Sequence, residues 1–431
     1  MRVAFVILLL SFLVPGPVRA GTVLTLNDCM DRALVNHPAI RSARENMNAG
    51  KGRVLQASSP YLPQITASTG YSENHAQGGA FGENITKSYT TTLSVNQVLY
   101  DFGRTGNALD SAQFGTQAAE MDVDRVVQEV LLNVKQAYYA LLQAKKLLGV
   151  AQKTLEQTES HLKQSEAFFR AGSRPKFDVT RATVDVNNAR LGLINAKNTV
   201  RVNTIALFNA MGLDPVRDVE IEDIFSKPAT LPSLDQAQSE ALTNRPEMLK
   251  AESDISAARS RLKAAQANYL PTLSANGAYN WAHGTQQMGS FNGVPLQGDV
   301  QDSWNAGVML SIPLFEGGLT RGRVGEARAN ELALEAQRDS LRQSVLLEIN
   351  RAYADLESAA ARIEVMDSSV KSALESLGLA EGRYKAGVGP SLEVTDARVA
   401  SMKAETDQVQ ALYDYQLAAA RLFKAMGRGG Q

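Results

Sequence analysis

The chain has 431 residues, of which 44 are basic and 45 acidic, with four histidines, one cysteine and 6% aromatics. A charge so evenly balanced leaves no electrostatic footprint for nucleic acid, and a single thiol excludes an internal disulfide framework. The histidines, His37, His75, His161 and His283, show no metal-ligand spacing, and so few aromatics in so long a chain argue against one compact globule.

Residues 1–20 read as an export signal. Arg2 opens a short positive region, residues 3–14 are an apolar run, and Val-Arg-Ala at 18–20 ends it with a cleavage pattern. The run is shorter than the roughly 20 residues a membrane-spanning helix needs. Losing Arg2 and Arg19 makes the mature chain two charges more negative than the −1 of the full sequence. Cys29 follows Leu-Asn-Asp rather than small residues, so it does not suit lipid attachment and reads as a small buried residue at a helix start.

A helix is expected over 26–59, stopped by Tyr61-Leu62-Pro63, and then a strand pair, 64–74 with 88–99. A very long helix follows at 104–171, breaks at Ala171-Gly172, and gives way to a return helix at 175–211. Residues 213–235 read as a linker. The same order then recurs: helix 236–267, strands 272–282 with 303–315, helix 319–386, a break at Ala386-Gly387, and a return helix at 390–426. The repetition is written in the residues. "NHPAI" (36–40) recurs as "NRPEM" (244–248) and "PYLPQITA" (60–67) as "NYLPTLSA" (268–275), both 208 positions on. "LYDFGRTG" (99–106) recurs as "LFEGGLTR" (314–321), "FDVTRA" (177–182) as "LEVTDA" (392–397) and "LFNAMG" (207–212) as "LFKAMG" (422–427), all 215 positions on. The seven extra residues fall between 275 and 314, where the Gly-rich polar stretch 283–302 reads as a surface loop. The chain is thus read as a signal peptide (1–20), a first repeat (21–212), an inter-repeat linker (213–235), a second repeat (236–427) and a tail (428–431), the two repeats arising by internal duplication.

The strands alternate with period two. Trp304, Ala306, Val308, Leu310, Ile312 and Leu314 share one face, opposite Asn305, Gly307, Met309 and Ser311. Tyr89, Leu93, Val95 and Leu99 oppose Thr90, Thr92, Ser94 and Asn96. This pattern suits a soluble sandwich or a membrane barrel equally. The long helices carry unbroken 4-3 steps. One runs from Val123 through Val127, Val130, Val134, Ala137 and Leu141 to Leu162; the other runs from Ile349 through Ala352, Leu356 and Ala359 to Tyr384. Such a 3.5-residue period means coiled-coil packing. At ~1.5 Å per residue the helix 104–171 spans about 102 Å, close to the summed lengths of 175–211 and 236–267, or of 390–426 and 26–59. A rod follows, in which short helices stacked end to end flank each long one. Four strands per chain leave open sheet edges, and closure by cyclic symmetry removes them.

The paired N-x-P and Tyr-Leu-Pro helix ends, "LYDFGR"/"LFEGGL", "RAGSRPKFDV"/"KAGVGPSLEV" and "LFNAMG"/"LFKAMG" together resemble the TolC-like outer-membrane efflux protein family over about residues 22–427. The resemblance implies an α+β fold, mostly long coiled-coil helical hairpins, with four strands per chain contributing to a trimeric 12-stranded transmembrane β-barrel. It implies a homotrimer in the cell outer membrane with a tunnel into the periplasm. The work implied is that of a passive exit duct in a tripartite efflux system for small toxic compounds, with a periplasmic adaptor and an inner-membrane transporter as partners. Trp304, Val308 and Leu310 would then face lipid, and Asn305 and Ser311 water. A family ring of acids at the periplasmic tip carries over onto Glu393 and Asp396, with Tyr384 beside it. Acids in a first helical turn also simply complement the helix dipole. Asp178 and Arg181 stand at the matching places of the first repeat, so only the second is doubly acidic. The tips Gly172, Ser173, Arg174 and Gly387, Val388, Gly389 become adaptor-docking candidates, while both glycines also read as left-handed helix caps before Pro175 and Pro390.

Two other classes compete. A type I protein secretion duct differs in partners rather than in the duct. A soluble periplasmic adaptor normally carries one hairpin with β-rich flanks, which this chain lacks. No nucleophile–base constellation appears, so no catalytic site and no cofactor are expected. The Gly-rich turn at 317–325 lacks the Gly-Lys-Ser/Thr of a phosphate loop.

Overall fold

The computed structural model describes residues 23–77, 83–215, 220–224, 232–291, 294–299 and 301–429. The expected signal peptide and the last two residues lie outside these, as does much of the linker. Element order is α1 (Leu26–Asn36), α2 (Pro38–Ser58), β1 (Gln64–Gln77), β2 (Glu83–Tyr100), α3 (Arg104–Arg170), α4 (Lys176–Ala210), α5 (Leu234–Asn244), α6 (Pro246–Ala267), β3 (Thr272–Phe291), β4 (Val294–Asp299), β5 (Ser303–Ser311), α7 (Leu319–Lys385) and α8 (Ser391–Ala425). α3 and α7 are both 67 residues long, and α4 and α8 both 35.

Two expected helices are each split in two. The helix read over 26–59 breaks at His37, and its counterpart breaks at Arg245, both with extended backbone. The cause is the following proline: Pro38 and Pro246 have no N–H to donate and push the preceding residue out of the helical region. Capping boxes start both first pieces, Thr25 with Asp28 and Ser233 with Gln236.

Contacts divide the chain into two compact units that cut across the repeats. The first gathers residues up to 41, 126–245 and 345–431; the second gathers 42–125 and 246–344.

In the first unit the core is built on the seams read from the sequence. Val130, Val134, Leu141 and Ala144 of α3 are buried, and so are Ile349, Leu356, Ala359, Leu377, Ala380 and Tyr384 of α7. Burying each of the valine, leucine and isoleucine side chains among them stabilises by about 1.5–3 kcal/mol. Tyr138 lies off the seam and is fully buried; its hydroxyl donates to the carbonyl oxygens of Glu222 (2.7 Å) and Leu24 (3.2 Å). It thereby secures a short parallel bridge between Leu24 and Ile221 of the linker. The closing motifs meet the helix breaks of their own repeats. Gly212 lies so close to the first break that a Cβ there would sit 2.8 Å from His37 Cα, and one on Gly427 would sit 3.0 Å from the Asn244 carbonyl. Both have left-handed backbone, φ 71° and 83°. A glycine is required at each for both reasons.

The second unit holds the sheet. β2 pairs with both β1 and β3, and β5 covers Thr272–Asn280 of β3. Among the described residues of 283–302, those up to Phe291 and those from Val294 to Asp299 are strand rather than the surface loop expected from the glycines. β3 continues to Phe291, and β4 turns back along Thr285–Phe291. β4 and β5 thus lie one after the other on the same edge of β3, so the sheet is four strands wide with its last strand interrupted. Antiparallel backbone pairing extends strands over glycine and polar side chains, which alternation of apolar residues does not register.

Candidate functional site

The sheet register sorts the strands into two faces. Thr66, Ser68, Ser72, Ser94, Thr92, Thr90, Asn276, Asn280, Asn305 and Ser311 share one, which also carries Gly70 and Gly307. Hydroxyls and amides link across it: Thr66 with Ser94 at 2.6 Å, Thr92 to Asn280 at 2.7 Å and Asn280 to Ser303 at 3.3 Å. The opposite face carries Ile65, Leu93, Val95, Leu273, Val308 and Leu310. Near its end Tyr71 packs on Tyr89 and Tyr279 on Trp281, ring centroids 4.9 and 4.4 Å apart. Tyr61, Tyr100, Phe102, Tyr269 and Phe315 are exposed at the other end of the strands. Tyr89 and Leu99 are ten residues apart, about 33 Å along the strand, so a strand tilted ~40° makes an apolar band ~25 Å tall between two aromatic belts.

The helix-terminal tips lie in the first unit. Both end in the same cap. Gly172 (φ 71°) and Gly387 (φ 78°) are left-handed; Ser173 N–H donates to Phe168 O, and Val388 N–H to Arg383 O, at 3.0 and 3.1 Å. These are Schellman bonds that satisfy the last carbonyls of α3 and α7. Arg174 then ties one tip to the other. It donates to the carbonyls of Gly387 (3.2 Å) and Gly389 (2.7 Å), and its guanidinium lies 5.1 Å from the centre of the Tyr384 ring.

Tyr384 is 1% exposed. Its hydroxyl is 3.2 Å from Ser165 Oγ, and its ring packs on His161 and Phe168 of α3 at 5.1 and 5.6 Å. It is therefore a knob between the hairpins. The acids stand apart from it. Glu393 is partly exposed and lies 3.4 Å from Arg383 Nε, and Asp396 is exposed one turn further along α8. The opposite side of that turn, Val394, Thr395 and Arg398, is buried. Thr395 donates to Asp185 of α4 at 3.1 Å, and Arg398 pairs with Glu381 of α7 at 3.1 Å. In the first repeat Asp178 is buried at the start of α4.

The arrangement brings Tyr384 and Arg174 together with both glycine turns, and leaves Asp396 exposed and Glu393 partly exposed against Arg383. His161 enters the sequence reading only as one of four histidines without ligand spacing, and Ser165, Asp185 and Arg398 are absent from it. One signal was available: the 4-3 seam carried one step past Leu162 reaches Ser165, opposite the seam residue Tyr384. His161 has no such signal, because it lies beside the seam. Burial, then the nearby Arg398 charge, hold its pKa below the ordinary histidine value.

A sheet with one lipid-compatible face and two aromatic belts, joined to very long helical hairpins, defines an outer-membrane channel protein. The chain belongs to the outer membrane efflux protein family, whose model matches residues 29–213 and 237–428. It is therefore an outer-membrane protein that extends into the periplasm, in a family of channels rather than enzymes. It is 27% identical over 410 residues to Protein CyaE of Bordetella pertussis, covering 95% of this chain and 83% of that one. It is 25% identical to the outer membrane efflux protein BepC of Brucella suis (95% and 88% covered) and 22% identical to outer membrane protein TolC of Escherichia coli (92% and 80%). Among solved structures, CusC shares the fold with a TM-score of 0.82 at 20% identity, covering 93% of this chain and 92% of that one. The outer-membrane channel OprN does so with a TM-score of 0.81 at 20% identity, covering 93% and 89%.

Proposed function

We propose that this chain forms, as a homotrimer, the passive exit duct of a tripartite efflux system for small toxic compounds, opened at its periplasmic tip by a periplasmic adaptor and an inner-membrane transporter. The observation that carries the reading is the tip itself. Two hairpin ends are tied to each other through Arg174 and Tyr384, with Asp396 exposed and Glu393 partly exposed beside Arg383 on the adjoining helix. Three copies would bring six carboxylates around one axis and favour cations there. Gly172, Ser173, Gly387 and Val388 are exposed at the turns and available to an adaptor.

The trimer is supported by α4. Phe177, Val184, Leu191 and Ile205 recur at multiples of seven, with Ile194 and Val202 beside them, and all six are exposed. The other side of α4 is already packed through Ala182, Val186, Leu207 and Phe208. A helix apolar on two sides has a second partner to find. The efflux role follows the name of the Brucella suis relative.

Deletion of the gene should sensitise cells to dyes, detergents and antibiotics, and the intact chain should restore resistance. In planar bilayers Glu393→Ala with Asp396→Ala should raise single-channel conductance and weaken cation preference. Unchanged conductance would remove the acids from the gate.

A further inference from the structure

We infer that His161 is an acid-sensitive latch between the two hairpins: neutral, it packs the tip shut, and protonation loosens it. This rests on reading the tip as a gate. His161 is 4% exposed on α3, its Nε2 lies 3.3 Å from Ser391 Oγ in the first turn of α8, and its ring packs on Tyr384 of α7. One side chain thus joins the long helix of the first repeat to both tip helices of the second. Ser165, a turn further along α3, meets the Tyr384 hydroxyl, so the ring is held from two successive turns.

A proton on His161 would be badly placed. It would sit out of water, beside the Arg398 guanidinium, and against the positive N-terminal end of α8. The other charges facing it are Asp178 and Asp185 from α4 and Glu381 from α7. Two of these three are engaged elsewhere: Asp185 accepts from Thr395, and Glu381 pairs with Arg398. Lys153, Glu156 and Lys385 line the adjoining cleft.

The sign follows. A histidine whose pKa is lowered in the closed tip favours closure fully above its open-state value. That preference is lost progressively as pH falls below about 6.5, the ordinary histidine value, toward the lowered value of the closed tip.

The test is single-channel recording of the full chain in planar bilayers from pH 7.5 to pH 5. The ratio of open to closed tip should rise by up to about 30-fold at pH 5 for one such histidine. His161→Gln and His161→Phe, neither of which protonates, should each be flat over that range, with the unheated oligomer on a gel reporting that they assemble. Glu393→Gln with Asp396→Asn should keep the step. A wild type without the step, or a step that survives in both His161 variants, overturns the latch. Arg174→Ala separates the two readings. If it raises conductance at pH 7.5 while the acid step is missing, only the latch falls; if it changes nothing, the gate falls and the latch with it.

Discussion

Arg174 donates to two backbone carbonyls of the opposite tip and covers an aromatic ring, from a position where the sequence offered only an exposed turn residue for a partner. A charged donor contributes about 1.5–3 kcal/mol per bond, less where water competes, and a cation–π contact at such a site about 0.5–1 kcal/mol. Since ~1.4 kcal/mol is a tenfold change, Arg174→Ala should raise the open population at least about tenfold at neutral pH. Arg174→Lys should recover little, because an ammonium lacks the planar fork. Cys29 is the opposite case. It is fully buried, and burial pushes its thiol up to about 12, so the native protein at pH 8 should resist a thiol reagent and react only once unfolded. Rapid native labelling would show that α1 opens. The residue identities at the tip were legible, and so was the periodicity that buries Tyr384. Their partners were not: Arg174 and Gly389 are 215 positions apart, and no local pattern records which carbonyl a guanidinium will reach.

Among the elements, the helix breaks show how a local rule is missed and then explained. His37-Pro38 and Arg245-Pro246 are ordinary proline stops, yet the hydrophobic pattern runs through both and suggests unbroken helices. The backbone term decides, because a missing donor and a steric clash cost about 3 kcal/mol inside a helix. Each break then receives the glycine that ends its own repeat's return helix. Gly212→Ala and Gly427→Ala should each lower stability by more than about 1 kcal/mol, since each adds a Cβ against backbone at a left-handed position. A thermal melt within a degree of wild type would refute that packing. Tyr138→Phe removes the hydroxyl that donates to the Leu24 and Glu222 carbonyls, of which Leu24 keeps the Glu222 N–H, and should cost about 1 kcal/mol. It should also speed proteolysis within 213–235, as limited digestion would report.

For the whole molecule, the decisive question is what covers the second apolar side of α4. Leu191→Glu with Ile194→Glu puts two charges on that stripe and should abolish the oligomer while leaving the chain's own packed face of α4 intact. The wild type should fractionate with the outer membrane and run as a trimer on an unheated gel; a monomer in the soluble periplasm would end the duct reading.

The amino-acid order by itself determined the succession of helical and strand regions, apart from the two proline breaks and the strand in the Gly-rich stretch, with the near-equal lengths of the long helices, the two faces of the strands and the seams of the long helices. These are local periodicities, written within one turn or one pleat of each residue. Only the tertiary structure decided that the closing glycines seat on the N-x-P breaks, that the Gly-rich stretch is strand, and that Tyr384 is a buried knob held by His161, Ser165 and Arg174. Those outcomes depend on backbone pairing and on contacts across some 200 positions. Their energies are set by which groups lose water together, a property of no single segment.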